Sequence, residues 1–449
     1  MSKNSHELNA QVWSTSASRN DDGVITVAGI PVTELVKQYE SPLFVIDEAD
    51  VRSRSRQYVE AFASGEAPAL VFYASKAFLS TKVAKWVADE GLFLDVCTEG
   101  ELEVALRAGI DPAKILFHGN NKSVAELEKA VSVGVGRIVI DSFVEIERLN
   151  NIAVAKGVTQ QVLLRLTVGV EAHTHDYIAT AHEDQKFGLS VASGAALEAA
   201  ESIIAAEGLS LLGLHSHIGS QIFDASGFEV AAHRVIQLAV NIRERYNFTV
   251  TELNLGGGMG IAYQESDDPI DVAQMAQTLR EIVISQCHQF SFPIPQLAVE
   301  PGRAIIGPAG ITVYEVGTTK NVDISESENR RYVSVDGGMS DNIRTALYDA
   351  EYTVVLASRN SDAVTVPSRV VGKHCESGDI VVRDAELPAD VAPGDLLAVA
   401  ATGAYCRAMS SNYNYVVRPA VVGVIDGKSE IILRRESIDD VLALDPGVN

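Results

Sequence analysis

Between residues 70 and 300, short runs rich in β-branched and other apolar residues recur, and a stretch with helical spacing follows each of them. The runs cover residues 70–74, 92–96, 115–117, 137–140, 162–167, 211–215, 252–255 and 297–300. The segments between them, such as STKVAKWVADEG and GELEVALRAGI, place apolar residues three and four positions apart, which gathers them on one helix face. Strands joined by helices pair in parallel, and eight such units close into a TIM-like (β/α)8 barrel, expected here over residues 46–308. In that architecture chemical groups collect at the C-terminal ends of the strands. Those ends carry Lys76, Asp95, His118, Asp141, His217, the run Gly256 to Gly258, and Glu300.

Past residue 310 the helical period fades, and strand-like runs follow one another: ITVYEV, RYVSVDG, PSRVVG, DIVV, DLLAVA, YVVRPAVVGVI and EIILRR. These runs predict a second, mostly β domain over 309–449. The segment before residue 46, with VITVAGIPVTELV and SPLFVIDE, is expected to pack with it. The 449 residues exceed what one hydrophobic core usually serves, which agrees with a chain of more than one domain.

The formal net charge of −24 disfavours a nucleic-acid backbone or an anionic membrane as the main partner, and a small soluble ligand fits better. Cys97, Cys287, Cys375 and Cys406 are scattered without CxxC spacing and read as free thiols in a reducing compartment. The N-terminus MSKNSHELNAQVW lacks the basic and apolar regions of a signal peptide, and no apolar run approaches the roughly 18 residues of a membrane span. The expected setting is the cytoplasm.

Lys76 ends the first run within YASKA, and an amine at a strand end points to Schiff-base chemistry, although most lysines simply lie on solvated faces. The sixth run ends in HSHIGSQ. His215 and His217 there share one strand face, which raises a metal pair as a rival, but no third ligand is evident nearby and a metal site needs three or four. His173, His175 and His182 lie in a polar loop without helical ligand spacing. The seventh run ends in LNLGGGMG; it fits neither the dinucleotide fingerprint nor the Walker pattern, and leaves a phosphate nest in Gly256, Gly257 and Gly258, with Ser220 as a further donor. Glu300 and Arg303 flank the Pro-Gly turn of VEPGRAI, where a plain surface ion pair is the alternative. Together the set reads as a pyridoxal phosphate site: Lys76 for the aldehyde, the glycines for the phosphate, His217 on the ring face, Glu300 at the ring nitrogen.

The motifs YASKA, HSHIGSQ, LNLGGGMGIAY, EPGRAI, DGGMSDNIRTALY, HCESGD and ATGAYCRAMSSNYN, taken jointly, resemble those of the diaminopimelate decarboxylases, barrel-type (fold type III) pyridoxal phosphate enzymes. The resemblance runs from about residue 25 to about residue 440. It implies that Lys76 carries the cofactor, that His217 stacks on its ring, and that Ser220, Gly256, Gly257 and Gly258 hold its phosphate. It also implies that Glu300 meets the pyridine nitrogen, while Gly302 and Arg303 reach cofactor and substrate. Arg303, Arg344, Tyr348 and Glu376 would bind substrate, Cys375 would donate the final proton, and Tyr405 would lie near phosphate and substrate. It further implies a homodimer in which Cys375 and Glu376 complete the site of the other subunit. No metal is expected.

Three rivals stand beside this reading. Barrel decarboxylases for ornithine, arginine or carboxynorspermidine favour an acidic pair for a bare distal amine, whereas this chain has Cys375-Glu376 and two arginines. Alanine racemase needs a base on each ring face. A non-catalytic pyridoxal phosphate-binding homologue would not need Lys76, Cys375 and Glu376 all intact.

Overall fold

The protein is described from a computed structural model at residues 8–170, 185–325 and 329–448. His173, His175 and His182, with most of the loop from 173 to 187, lie outside the described residues. The chain forms two compact units. One comprises Arg54–Gly260 and Pro269–Gly302; the other takes the residues up to Ser53, Ile261–Asp268 and everything from Arg303 on. The strand Leu43–Asp47 pairs inside the second unit's sheet.

The first unit is a closed parallel barrel. Its strands are Ala69–Ala74, Phe93–Val96, Ile115–Phe117, Arg137–Ile140, Gln160–Thr167, Leu209–Ser216, Glu252–Asn254 and Gln296–Val299. Each pairs with the next in parallel, and the last returns to the first through Leu297 opposite Ala69 and Val299 opposite Val71. All eight expected runs are therefore strands, with ends that differ by a few residues. A two-residue strand, Leu189–Ser190, adds to the fifth. Phe72, Leu116, Val139, Leu163 and Ala298, from alternate or neighbouring strands, make a fully buried cluster, so this part of the barrel is packed with side chains.

The turn from strand to helix is set by polar caps. Ser80, Thr98, Ser123 and Ser142 each accept a backbone N–H of the first helical turn, and Ser123 forms a reciprocal capping box with Glu126. Such a cap ends the preceding loop within a few residues of the strand. Residues between strand end and cap are thereby held at one end of the barrel.

In the second unit one path of strands runs Ile380–Pro388, Thr365–Val371, Asn329–Val335, Gly310–Asp323, Leu43–Asp47, Ala420–Ile425 and Lys428–Leu433. Leu396–Val399 also pairs with Gly310–Asp323 and carries Val354–Leu356 on its other side. Val45, Ile311, Val313, Ala398 and Val422 share a core with Trp13, Ile25 and Leu35. Of the N-terminal strand signals, only Leu43–Asp47 joins this sheet; Ser18–Arg19, Ile25–Val27 and Ile30–Pro31 make a small sheet of their own. The expected run YVVRPAVVGVI is a strand only from Ala420. Asn414 and Tyr415 have positive φ of 52° and 58°, and Pro419 has no N–H to give a ladder.

Candidate active site

Lys76 sits in the one-turn 3₁₀ helix Ser75–Ala77 that follows the first barrel strand. Its neighbours Ser75 and Ala77 are buried while Lys76 itself is exposed, so the turn is anchored on both sides of the lysine. Glu300 follows the eighth strand and is only 7% exposed. Its carboxylate is clasped from three other strands. Oε1 accepts from Asn254 Nδ2 at 2.9 Å, and lies 2.9 Å from His118 Nε2 and 3.2 Å from His215 Nε2. Burial alone pushes Glu300 up, but His118 and His215 more than reverse that and hold it well below the usual carboxylate range.

The two histidine rings meet edge to face at 4.7 Å. Burial draws His215 down to about 4, against the opposing pull of Glu300, so its ring is neutral near pH 7. With Nε2 facing the carboxylate, the proton belongs on Nε2, which leaves the buried Nδ1 as an acceptor without a partner among the described residues. The lack of a third ligand beside His215 is thereby corrected: donor atoms of His118, His215 and Glu300 all lie within 4.8 Å of one another, and His217 is not among them. Spacings of 2.9 and 3.2 Å with Asn254 alongside are those of a hydrogen-bonded clasp. Burial pushes Asp95 up to about 7 against the pull of His118, and the charge on Glu300 adds to the rise.

His217 is half-buried just past the sixth strand. Enclosure first, and then the charge of Lys76, hold it well below its ordinary value, so it presents a neutral imidazole face. The glycine run is dictated by what stands behind it. A Cβ on Gly256 (φ 70°) would meet Ser216 O at 2.6 Å and His217 Nδ1 at 3.0 Å, and one on Gly257 would meet Glu300 O at 2.1 Å. Only glycines let the backbone pass this closely between the sixth and eighth strand ends. Ser220 is exposed beyond His217.

The other unit assembles a second constellation. Arg344, 6% exposed, starts the short helix Arg344–Tyr348, and its Nη1 donates to Tyr263 Oη at 2.8 Å and to Tyr352 Oη at 2.7 Å. Arg303 Nη1 donates to the same Tyr263 Oη. The Arg303 guanidinium lies 4.7 Å from the Tyr405 ring centroid and the Arg344 guanidinium 5.9 Å, so two expected cations and one expected tyrosine come together. Tyr348, at the other end of the helix, is 62% exposed and takes no part in this cluster. Burial pushes the Cys406 thiol up to about 11; it lies 3.5 Å from Tyr352 Oη.

Cys375 and Glu376 are exposed on a turn pinned by Asp379. The buried Asp379 carboxylate accepts from His374 N at 2.7 Å and from Met339 N at 2.6 Å, joining the turn to the segment before Arg344. The His374 ring bridges Ser340 Oγ at 2.8 Å and Asn414 Oδ1 at 2.9 Å.

Tyr263, Tyr352, Asn254 and Asp379 are the site residues that the sequence did not single out. Tyr263 was within reach, since it closes the LNLGGGMGIAY motif, but an aromatic there reads as core.

The barrel residues fit a pyridoxal-type cofactor on chemical grounds. They offer an exposed amine, a neutral imidazole, a cradle that any Cβ would fill, and a buried anion able to face a protonated ring nitrogen.

Comparison with known proteins points the same way. The profile of the family described as pyridoxal-dependent decarboxylase, pyridoxal binding domain, matches residues 48–307. The chain is 59% identical over 442 residues to the diaminopimelate decarboxylase of Mycobacterium tuberculosis, covering 98% of each, and 44% identical over 430 residues to that of Bacillus subtilis, covering 96% and 97%. Among solved structures it superimposes on the diaminopimelate decarboxylase of M. jannaschii in complex with L-lysine with a TM-score of 0.88 at 29% identity, covering 96% of this chain and 98% of that one. A profile match over more than half its length and relatives this similar along nearly all of it place the chain in the pyridoxal-dependent decarboxylases, as a member of the diaminopimelate decarboxylase family.

Proposed function

We propose that the protein is a carboxy-lyase that converts meso-2,6-diaminopimelate to L-lysine and carbon dioxide, the last step of lysine biosynthesis, with pyridoxal 5′-phosphate as cofactor. The observation that carries the choice of substrate is the pairing of Arg303 and Arg344 on one phenol. A substrate that keeps a carboxylate at its non-reacting end calls for such cations, and an arginine fork binds carboxylate in two bonds at once. A substrate ending in a bare amine has no use for them.

When bound, the cofactor supplies an electron sink for the carbon that loses carbon dioxide. The chain's own residues do the rest. Lys76 would hold the cofactor through its amine. Glu300, kept anionic by His118 and His215, holds the proton at the ring nitrogen. His217 covers one ring face with a neutral imidazole. Gly256, Gly257, Gly258 and Ser220 offer N–H and O–H donors to the phosphate, with Gly302 and Tyr405 close to it. Arg303 and Arg344 bind the distal carboxylate, Glu376 the distal ammonium, and Tyr348 contacts the substrate. Cys375 then delivers a proton to the α-carbon.

We further propose a homodimer in which Cys375 and Glu376 complete the other subunit's site. Cys375 and Glu376 are both exposed, as residues that reach another subunit's site must be. Four free cysteines suit the cytoplasm, and no helix among the described residues is long and apolar enough to cross a membrane.

Carbon dioxide release from diaminopimelate, ornithine and arginine by the purified holoenzyme tests the reading. Release from diaminopimelate alone is expected. Faster release from ornithine or arginine would assign the protein to the rival group, and no release from any of them would make it a non-catalytic homologue.

A further inference from the structure

We infer that Tyr263 is a specificity-determining residue, its hydroxyl acting as a third donor, beside Arg303 and Arg344, to the carboxylate at the substrate's non-reacting end. This rests on the dicarboxylate reading above and adds a residue to it.

A phenol oxygen has two lone pairs and one proton. Arg303 Nη1 and Arg344 Nη1 both donate to Tyr263 Oη, so both lone pairs are taken and the hydroxyl can only donate. A donor held between two guanidinium groups is matched by an anion. Arg344 points to the same ligand. Its Nη1 hydrogens go to Tyr263 and Tyr352, while Nε and Nη2 have no hydrogen-bond partner among the described residues although the residue is only 6% exposed. That edge of the fork has the shape that takes a carboxylate bidentately.

Tyr263 is also held rigidly. Asp267 Oδ2 accepts from Tyr263 N and from Gln264 N, both at 2.9 Å, and Thr353 Oγ1 donates to Tyr263 O at 2.7 Å. The ring stands edge-on to Tyr352 with centroids 5.2 Å apart. With its oxygen fixed, Tyr263 sets where the two guanidinium groups converge, and its own proton is added at that point at little cost in ordering.

The test compares ligands with and without the distal carboxylate on the holoenzyme. The product L-lysine keeps that carboxylate, and 1,5-diaminopentane lacks it. In Tyr263→Phe, the KM for diaminopimelate and the inhibition constant of L-lysine should both rise by roughly 10- to 100-fold, the worth of one hydrogen bond to a charged group. The kcat should stay close to wild type and 1,5-diaminopentane should bind as before. If L-lysine and 1,5-diaminopentane weaken together, or if neither changes, the donor role is refuted.

Replacing Tyr263 with 2,3-difluorotyrosine keeps the shape while lowering the pH at which the phenol ionises. L-lysine should then bind more weakly as pH rises through that ionisation, and a profile that follows wild type would overturn the inference without any question of folding. Arg344→Gln tests the reading underneath. Should that variant weaken L-lysine and 1,5-diaminopentane alike, the dicarboxylate reading fails; should it weaken only L-lysine while Tyr263→Phe does nothing, only the inference about Tyr263 fails.

Discussion

Lys76 stands exposed between the buried Ser75 and Ala77, and this contrast distinguishes it from an ordinary surface lysine on a helix. Lys76→Ala should lose both the visible absorbance of lysine-bound cofactor and turnover. A purified variant that kept both would remove the lysine from the chemistry. Cys375→Ala should bind cofactor normally, judged by absorbance, yet turn over slowly, and wild-type rates would rule out a thiol acid. His215 gives a prediction on stability. Its ring titrates near 4 when buried against an ordinary 6.5, so as pH falls through this window the unfolded chain takes up a proton that the native chain refuses. Stability supplied by this group is present above about 6.5 and lost toward 4, at about 1.4 kcal/mol per pH unit. Urea unfolding of His215→Gln across that window should show about one proton fewer taken up on unfolding than wild type. Lys76, His217 and Glu300 were legible because each is the right chemical type at a strand end. The Glu300 clasp was not, because His118 and His215 lie 182 and 85 residues from it along the chain.

Among the elements, the turn that carries Cys375 and Glu376 has no helix or strand of its own, and the Asp379 carboxylate takes over that work. It accepts N–H groups from His374 and Met339, and a Cβ on Gly338 or Gly372 would meet its Oδ1 at 2.5 or 2.4 Å. Asp379→Asn replaces one acceptor by a donor aimed at an N–H, which leaves a buried amide unpaired and costs about 1–3 kcal/mol. Maleimide labelling of the exposed Cys375 should accelerate, and amides at 338–341 and 372–379 should exchange faster with deuterium. Unchanged labelling and exchange would show that the turn holds without this carboxylate. Element types were legible wherever a period was sustained, as in all eight barrel strands. The expected strand at 415–418 failed because two positive-φ residues, Asn414 and Tyr415, and then Pro419 interrupt it, and backbone conformation of that kind leaves little trace in hydropathy.

At the scale of the whole molecule, the thiol turn and the barrel lysine belong to different compact units of the chain. If partner subunits complete each other's sites, mixing inactive Lys76→Ala with slow Cys375→Ala should raise turnover to as much as about a quarter of the wild-type rate, since half the dimers are hybrids with one intact site each. No recovery, once subunit exchange is demonstrated by mass spectrometry, would exclude the shared site. The eight strand-helix units, the β-rich remainder and the kinds of groups at the strand ends could all be read along the chain, because hydrophobic period and side-chain chemistry are local properties. Which groups meet was decided only by the tertiary structure. Closing the barrel brings His118, His215, Asn254 and Glu300 onto one carboxylate, and the fold of the second unit brings Arg303, Arg344 and Tyr263 onto one phenol oxygen. Those meetings follow from strand order and register over separations of 40 to 182 residues, distances across which no local pattern carries information.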